Sequence, residues 1–188
     1  MKKVAIVTIY DNNNYGNRLQ NYATQEVMRK LNFDATTLKN SYLLNKDCTN
    51  AKYIVQVIKF YVRYIQGYTK NFARRVRFNE FNKNIKLSRK YVTKYNIKKL
   101  NGKFDFFVCG SDQVWNPEFR RMTKFDLLEF ADNKKKVSFS ASFGSSVLDD
   151  EYLNKAKKEL KKFKAISVRE EAGKKIAKEL TKREDIEV

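Results

Sequence analysis

The sequence predicts an α/β protein in which helices flank a Rossmann-like parallel sheet. Three observations predict this class. Short apolar runs at Val4–Ile9 and Phe104–Cys109 carry at most one charge, which is typical of strands buried on both faces. Helical patterns alternate with such runs along the chain, as they do in βαβ units. Polar residues follow the runs directly, at the edge where ligands of parallel sheets bind.

Length and composition indicate one folded domain that spans residues 1–188. The chain has 188 residues, of which 42% are hydrophobic and 14% aromatic, enough for a single substantial core. No apolar stretch approaches the roughly 20 residues that a membrane-spanning helix needs. The N-terminal residues lack the pattern of a secretory signal peptide. We therefore expect a cytoplasmic protein.

The residue types that are absent exclude several classes of site. The chain contains no histidine and only two cysteines, Cys48 and Cys109. Zinc sites of the usual kinds and Ser-His or Cys-His nucleophiles built from this chain are thereby excluded. The loop after the first apolar run lacks the Gly-x-Gly-x-x-Gly pattern of dinucleotide-binding folds. We predict neither a metal nor a cofactor.

The formal charge of +19 allows two interpretations. The lysines are spread along the chain, which favours solvated faces. The alternative is a surface for a polyanion, with nucleic acid, an anionic substrate or a membrane surface as the partner. Nucleic acid is the least favoured of these, because charge alone supports it.

A βαβ unit opens the chain. After the strand Val4–Ile9, the loop Asp11–Gly16 is dense in residues that tolerate left-handed backbone. Asn17 is predicted to cap a helix that ends at about Leu31. An apolar stripe at helical spacing predicts the buried face of this helix: Leu19, Tyr22, Ala23, Val27 and Leu31. The second strand is predicted at Phe33–Lys39.

A helical insertion at about 53–84 interrupts the alternation, after an irregular segment at Ser41–Asn50. Its two helices, Tyr53–Tyr68 and Thr69–Asn84, are rich in aromatic and basic residues. Either they cover the edge of the sheet, or they form an amphipathic surface that meets anionic lipid. The second alternative would place the protein at the inner face of the membrane.

Strands and helices alternate again in the second half. The predicted elements are a short helix at Tyr95–Leu100, the central strand Phe104–Cys109, an apolar segment at Phe125–Phe130, a strand at Lys136–Ser142, a helix from Asp149 or Asp150 to Phe163, a strand at Ala165–Val168, a helix at Glu171–Leu180 and the start of a strand at Ile186–Val188. Polar residues follow three of these strands, which predicts a shared ligand site at their carboxyl ends.

Four of the strand-end stretches carry a resemblance. They are NNYGNRLQNYA (13–23), GSDQVWN (110–116), SASFG (140–144) and SVRE (167–170). In this order they resemble the polysaccharide pyruvyl transferase family, and the resemblance runs from Met1 to about Glu170. It implies a transferase that moves pyruvate from phosphoenolpyruvate onto a sugar hydroxyl of a cell-surface glycan. Phosphoenolpyruvate and a glycan or lipid-linked sugar acceptor are the implied partners.

The resemblance also implies a glycosyltransferase-B-like pair of Rossmann-type halves. A second half with further arginine and histidine residues is expected from the family, and the present chain stops at Val188. We therefore expect residues 1–188 to be an N-terminal half that is inactive by itself. Two alternatives stay open, a non-catalytic module that binds a glycan or nucleotide sugar, and a basic polyanion or nucleic-acid binder.

Two residues are candidates for catalytic roles. Arg169 lies at the carboxyl end of a strand, and its planar guanidinium suits phosphate or carboxylate. Its alternative role is a salt bridge to Glu170 or Asp112. Asp112 is predicted as a general base, as a partner that orients another site residue, or as a cap or turn residue. Glu170 either orients Arg169 or caps the last helix.

Further residues of the four stretches are candidates for substrate binding. The amides of Asn17, Gln20, Gln113 and Asn116 can pair with sugar hydroxyls. Trp115 either stacks on a sugar or anchors the core. Arg18 is a second anion candidate, with a solvated surface position as the alternative. Gly16 and Gly144 allow close approach of a ligand or tight turns. The set is completed by Tyr15, Gly110, Ser111, Ser142 and Glu170.

Overall fold

The fold is described from a computed structural model for residues 1–10, 14–41, 44, 49–70, 72–119 and 123–188. The predictions for Asp11–Asn13, for Cys48 and for part of the segment 41–50 fall outside these residues.

Four parallel strands form the main sheet. They are β1 (Lys2–Val7), β2 (Phe33–Thr37), β3 (Phe106–Gly110) and β4 (Lys136–Phe139), in the order β2-β1-β3-β4. Every neighbouring pair is parallel, with Val4 opposite both Ala35 and Phe106. The predicted parallel α/β sheet is thereby confirmed.

Two short strands continue the sheet beyond β4. β5 (Ile166–Ser167) pairs in parallel with β6 (Ile186–Glu187). Parallel bridges from Val137 to Ala165 and from Ala141 to Val168 place β5 beside β4. The spatial order is therefore 2-1-3-4-5-6. In such a doubly wound order the direction of winding reverses between β1 and β3, where ligands usually bind.

Five helices accompany the strands in the described part of the chain. They are α1 (Tyr15–Lys30), α2 (Asn50–Lys70), α3 (Phe72–Asn82), α4 (Asp150–Leu160) and α5 (Glu171–Thr181). Three short 3-10 turns lie at Ile97–Leu100, Pro117–Phe119 and Asn133–Lys135. Both predicted helices of the insertion are present as α2 and α3.

Two cores lie on opposite faces of the sheet, because side chains alternate along each strand. Val4, Ile6 and Val108 pack with Met28 of α1 on one face. The larger core on the other face combines strand residues such as Val7 and Phe107 with side chains of α4 and α5. Both faces of the central strands are thus covered, as their continuous apolar sequence predicts.

The predicted ends of several elements are wrong by a few residues. α1 is capped by Asn14, whose backbone is extended (φ −120°, ψ 114°) and whose side chain accepts from the Asn17 amide at 3.3 Å. Asn17 therefore lies in the first turn and is not the cap. β4 ends at Phe139 because Ser140 has a positive φ of 48°, which no extended strand contains.

The predicted buried stripe of α1 is also wrong. Leu19, Ala23 and Leu31 are exposed. The buried side chains of the helix are mostly polar: Asn17, Arg18, Asn21, Thr24, Gln25 and Met28.

Two of these polar side chains, Asn21 and Gln25, are buried because they complete hydrogen bonds at the edge of the sheet. Residues 86–88 run beside β2, where Thr37 donates its amide to the Lys86 carbonyl at 2.9 Å. The Gln25 side chain donates to the same carbonyl and accepts from the Lys86 amide, both at 2.9 Å. The Thr37 hydroxyl donates to Asn21 at 2.5 Å. Buried polar groups with such partners cost little to desolvate.

Among the described residues, no helix is both long enough and apolar enough to cross a membrane.

Candidate functional site

The turn after β3 directs the chain across the end of β4. Gly110 has a φ of 137°, and a Cβ atom there would lie 2.3 Å from the Phe139 carbonyl oxygen. Only glycine fits this approach. Ser111 follows with a φ of 62° and donates its amide to the same carbonyl at 2.7 Å. The turn thereby sets the position of Asp112.

Backbone hydrogen bonds join the loops that follow β3, β4 and β5. The Ser142 amide donates to the Asp112 carbonyl at 3.0 Å, and the Trp115 amide donates to the Ser142 carbonyl at 3.1 Å. The Arg169 amide donates to the Ala141 carbonyl at 3.0 Å. Three of the four predicted strand-end stretches are therefore in direct contact at one edge of the sheet.

Asp112 connects these loops to the fourth stretch. Its side chain is buried, and Oδ2 accepts from the side-chain amide of Asn17 in the first turn of α1. Oδ1 accepts from the Gln113 backbone amide at 2.7 Å. Both oxygens thus hold neighbouring site residues. These contacts favour an orienting role for Asp112 over that of a general base.

Arg169, Ser142 and Glu170 form a second polar cluster. The Ser142 hydroxyl accepts from Arg169 Nη2 at 3.0 Å and donates to Glu170 Oε1 at 2.8 Å. Arg169 Nε donates to Glu170 Oε2 at 3.3 Å, so the predicted ion pair of these two residues is present. Ser142 is fully buried, whereas 37% of the Arg169 side chain is exposed. The cluster fixes a partly accessible guanidinium at the end of β5.

A cavity of about 310 Å³ adjoins this cluster. The residues that line it are mostly polar: Gln113, Ser142, Gly144, Ser145, Ser146, Arg169, Glu170 and Ala172. Gly144 has a φ of 67°, and a Cβ atom there would lie 2.3 Å from Asn116 Nδ2. Glycine thus lets this loop lie against Asn116, whose side chain donates to Gln113 Oε1 at 3.1 Å.

A larger groove of about 580 Å³ lies elsewhere, between β2 and residues 87–104. Its lining is mainly apolar and contains none of the predicted site residues. The position of each cavity relative to the sheet shows which of the two is the better candidate, because ligands of doubly wound sheets bind past the carboxyl ends of the strands. The smaller, polar cavity is therefore the candidate site.

Trp115 does not line the cavity. Its side chain is 0% exposed, and its ring lies 5.1 Å from that of Phe143 and 6.0 Å from that of Phe163. The alternative in which Trp115 stacks on a sugar is wrong, because no part of its side chain is accessible to a ligand. Trp115 instead anchors the loop that carries Asp112 and Gln113.

Arg18 is also buried, so the predicted solvated position is wrong. Its guanidinium lies 4.7 Å from the Tyr10 ring and donates to the Ile9 carbonyl at 3.3 Å. It also donates to Asn82 Oδ1 at 3.4 Å. These contacts tie the loop after β1 to the end of α3.

The other candidates of the first stretch lie at the start of α1. Tyr15 is 55% exposed and stacks on Phe78 of α3 with ring centroids 4.5 Å apart. Gly16 lies in the first turn of the helix, and Gln20 is half-buried. The structure places Asn17 against Asp112, whereas Tyr15 contacts the helical insertion.

Asn14, Ser145 and Ser146 lie near the site although they were not among the residues predicted for it. Asn14 caps α1 and so fixes Asn17, while Ser145 and Ser146 line the cavity. The serines directly follow Gly144, and their position after a predicted strand end was a usable signal. In the described residues, no group of three or more His, Cys, Asp or Glu side chains is placed to hold a metal ion.

Comparison with protein families gives a match over most of the chain. The family model for polysaccharide pyruvyl transferase matches residues 14–188. The matched region contains Asn17, Asp112, Ser142 and Arg169. Searches of curated proteins and of solved structures gave no match.

Proposed function

The chain belongs to the polysaccharide pyruvyl transferase family, and from this premise we propose that it takes part in transferring pyruvate from phosphoenolpyruvate to a sugar hydroxyl. The acceptor is a cell-surface glycan or its lipid-linked precursor. A lipid-linked acceptor would bring the protein to the inner face of the membrane. The observation that carries the proposal is the fixed guanidinium of Arg169 beside a polar cavity at the carboxyl edge of the sheet.

Arg169 is proposed to bind the phosphate or the carboxylate of the donor. A guanidinium has five N–H donors in a plane, which suits bidentate pairing with either group. Ser142 and Glu170 accept from Nη2 and Nε and hold the plane in one orientation. The positive end of α5, which begins at Glu171, lies next to Arg169 and favours an anion there. Glu170 partly offsets the positive charge at this point. The fixed orientation of the Arg169 guanidinium is therefore proposed to contribute to anion binding as much as its charge does.

The remaining polar groups are proposed to bind the acceptor sugar and to position other residues of the site. Formation of a ketal from phosphoenolpyruvate needs an acid at the methylene carbon, cations at the phosphate and carboxylate, and a base at the attacking hydroxyl. Gln113, Ser145 and Ser146 are proposed to pair with sugar hydroxyls. Asp112 is proposed to position Asn17 and Gln113. The glycosyltransferase-B-like pairing with a second half stays a prediction.

Titration of the purified chain with phosphoenolpyruvate by calorimetry tests the proposal. We expect Arg169→Ala to weaken binding by about 1.5–3 kcal/mol, the range for hydrogen bonds to charged groups. Arg169→Lys should restore part of the affinity, because lysine keeps the charge but lacks the planar fork. Melting temperatures should change little, since the side chain is partly exposed at the cavity edge.

Arg29→Ala is the matched control. Arg29 is a surface arginine whose side chain is 59% exposed and pairs with Glu26 on α1, far along the helix from Asn17. Its replacement removes the same charge and should leave phosphoenolpyruvate binding unchanged. Unchanged affinity in Arg169→Ala together with a large fall in melting temperature would show that Arg169 is structural, and the site assignment would be lost.

The salt dependence of ligand binding distinguishes a polyanion-binding protein from one with a single anion site. A protein that neutralises many phosphates loses affinity steeply as salt rises, whereas a single anion site does so weakly. Binding of a sugar ligand without any binding of phosphoenolpyruvate would instead favour the non-catalytic glycan module.

A further inference from the structure

Helix α2 presents an apolar stripe to solvent. Ile54, Ile58, Tyr61 and Ile65 follow one another at intervals of four, three and four residues, and each is between 57% and 62% exposed. At 3.6 residues per turn these positions form one continuous face. Val55 and Val62, both nearly half exposed, widen it.

The stripe is not the side by which α2 attaches to the protein. Tyr53 is buried, and the Phe60 ring lies 5.1 Å from that of Tyr91. Near the end of the helix, Gly67 lies so close to Arg75 of α3 that a Cβ atom would be 2.6 Å from Nη2. These contacts use one side of the helix and leave the stripe on another.

The stripe is bordered by basic residues. Residues 50–82 contain seven lysines and arginines and one acidic residue, Glu80. Lys59 and Arg63, one turn apart and both exposed, lie along one margin of the stripe. An apolar face with cations beside it is the layout of helices that lie in the interface of a membrane.

We propose that α2 docks on an anionic lipid surface, with its stripe at the boundary between headgroups and acyl chains. The charge of the surface selects this occupant. Symmetric pairing with a second copy would bring Lys59 and Arg63 close to their own counterparts, which like charges disfavour. Anionic headgroups instead complement them, at about 1 kcal/mol for each cation near the surface.

The docking surface connects to the candidate site through α3. Phe78 of α3 stacks on Tyr15, and the Arg74 guanidinium lies 5.4 Å from the Tyr15 ring. Tyr15 opens α1, whose Asn17 holds Asp112. Docking would therefore hold the carboxyl edge of the sheet near the bilayer, where a lipid-linked acceptor is presented. This last step rests on the proposed function, whereas docking itself does not.

Vesicle flotation of the 188-residue chain tests the proposal. The vesicles consist of phosphatidylcholine alone or of phosphatidylcholine with about one third phosphatidylglycerol, which gives a negative surface potential. We expect binding to the anionic vesicles only, and loss of that binding as salt shortens the Debye length from about 10 Å at 0.1 M to about 3 Å at 1 M.

Matched substitutions separate the stripe from the general charge of the chain. Ile58→Ser should lower binding to anionic vesicles about fivefold or more, because it removes apolar area from the interface. Leu31→Ser is its control, since Leu31 is 60% exposed at the end of α1. Lys59→Gln with Arg63→Gln should lower binding about thirtyfold. Lys157→Gln with Lys158→Gln on α4 removes the same charge and should have a much smaller effect.

Several outcomes would overturn the proposal. Equal losses from the α2 and α4 charge variants would show that net charge alone drives binding, and an unchanged Ile58→Ser would show that the stripe is not used. Sedimentation velocity without lipid tests whether the stripe instead binds a second copy of the chain. A dimer that Ile58→Ser abolishes would identify that second copy as the occupant of the stripe. Calorimetry with phosphoenolpyruvate on the same variants should be unchanged, so failure of docking and failure of the proposed function can be told apart.

Discussion

The proposed role of Asp112 is to hold neighbouring residues of the candidate site in place rather than to react. It is buried and accepts hydrogen bonds from α1 and from its own loop. Removing a charged acceptor from the buried Asn17 side-chain amide and the part-buried Gln113 backbone amide leaves those donors without it, and a buried donor without a partner costs about 1–3 kcal/mol. An orienting role therefore predicts a stability effect that a solvent-facing general base would not show.

Asp112→Asn tests this role. The substitution keeps the shape and one acceptor oxygen, but it places an NH2 group against one of the two donors, Asn17 Nδ2 or the Gln113 amide, which then lacks an acceptor. We expect a loss of about 1–3 kcal/mol in the free energy of unfolding, measured by urea denaturation. Asp132→Asn, at an exposed position, is the control and should be neutral. Full stability of Asp112→Asn would instead contradict the orienting role and favour the general-base alternative.

The burial of Lys136 predicts that the stability of the protein depends on pH. Its side chain is 2% exposed, and Nζ lies 3.7 Å from Glu159 Oε2. Burial lowers the pKa of Lys136 below its ordinary 10.5, and the attraction of Glu159 opposes this only in part. The unfolded state therefore binds the proton more tightly. Stability contributed by this group rises with pH between the folded pKa and 10.5, and is lowest at and below the folded value.

Comparison of Lys136→Met with the natural chain isolates that contribution. Lys162 still pairs with Glu159 at 2.7 Å, so the carboxylate keeps one partner. We expect the stability of the variant relative to the natural chain to be greatest near pH 7 and to decline towards about pH 10. Urea denaturation across this range gives the comparison. Parallel pH profiles of the two proteins would contradict a lowered pKa of Lys136.

At the scale of elements, the start of α1 depends on a residue outside the predicted helix. Asn14 accepts from the Asn17 amide, and loss of such a cap costs about 1 kcal/mol. We therefore expect Asn14→Ala to lower the free energy of unfolding by about this amount, whereas Asn14→Asp should retain it. Denaturation of both variants is the measurement. Equal stability of Asn14→Ala and the natural chain would show that the cap is dispensable.

The strands were predictable because their signal is strong and local. A short apolar run such as Phe104–Cys109 is typical of a strand that is buried on both faces, and the structure buries its second half, Phe107, Val108 and Cys109. The packing side of α1 was not predictable, because the rule assumes that apolar residues face inward. Gln25 and Asn21 are buried by hydrogen bonds to β2 and residues 86–88, partners that lie 12 or more residues away along the chain.

The candidate site was predictable in outline and not in detail. Parallel strands bring their ends to one edge, so the contact of the loops after β3, β4 and β5 follows from the predicted topology. The direction of each side chain depends on packing that no local pattern encodes. Trp115 faces the core while its neighbour Gln113 lines the cavity. The hydrogen bonds of Ser142 to Arg169 and Glu170 likewise required the structure.

At the scale of the whole molecule, the net charge of +19 opposes folding. The chain has 40 basic and 21 acidic residues, so repulsion between unbalanced cations is distributed over its surface. Exposed ion pairs such as Lys178–Glu184 oppose this, but each contributes only about 0–1 kcal/mol. Salt weakens both the repulsion and the ion pairs. Because positive charges are in excess, the repulsion is the larger of the two effects.

We therefore expect sodium chloride to raise the melting temperature, because screening weakens the net repulsion more than it weakens the ion pairs. Thermal unfolding at pH 7 between about 0.02 and 0.5 M salt measures this. Phosphate should stabilise further at equal ionic strength if Arg169 binds it, since a ligand that binds the native state adds stability by mass action. Arg169→Ala should reduce the additional effect of phosphate to the general stabilisation that an excluded anion gives, while retaining the effect of sodium chloride. A melting temperature that falls as sodium chloride rises would show instead that ion pairs outweigh the repulsion among the unbalanced cations.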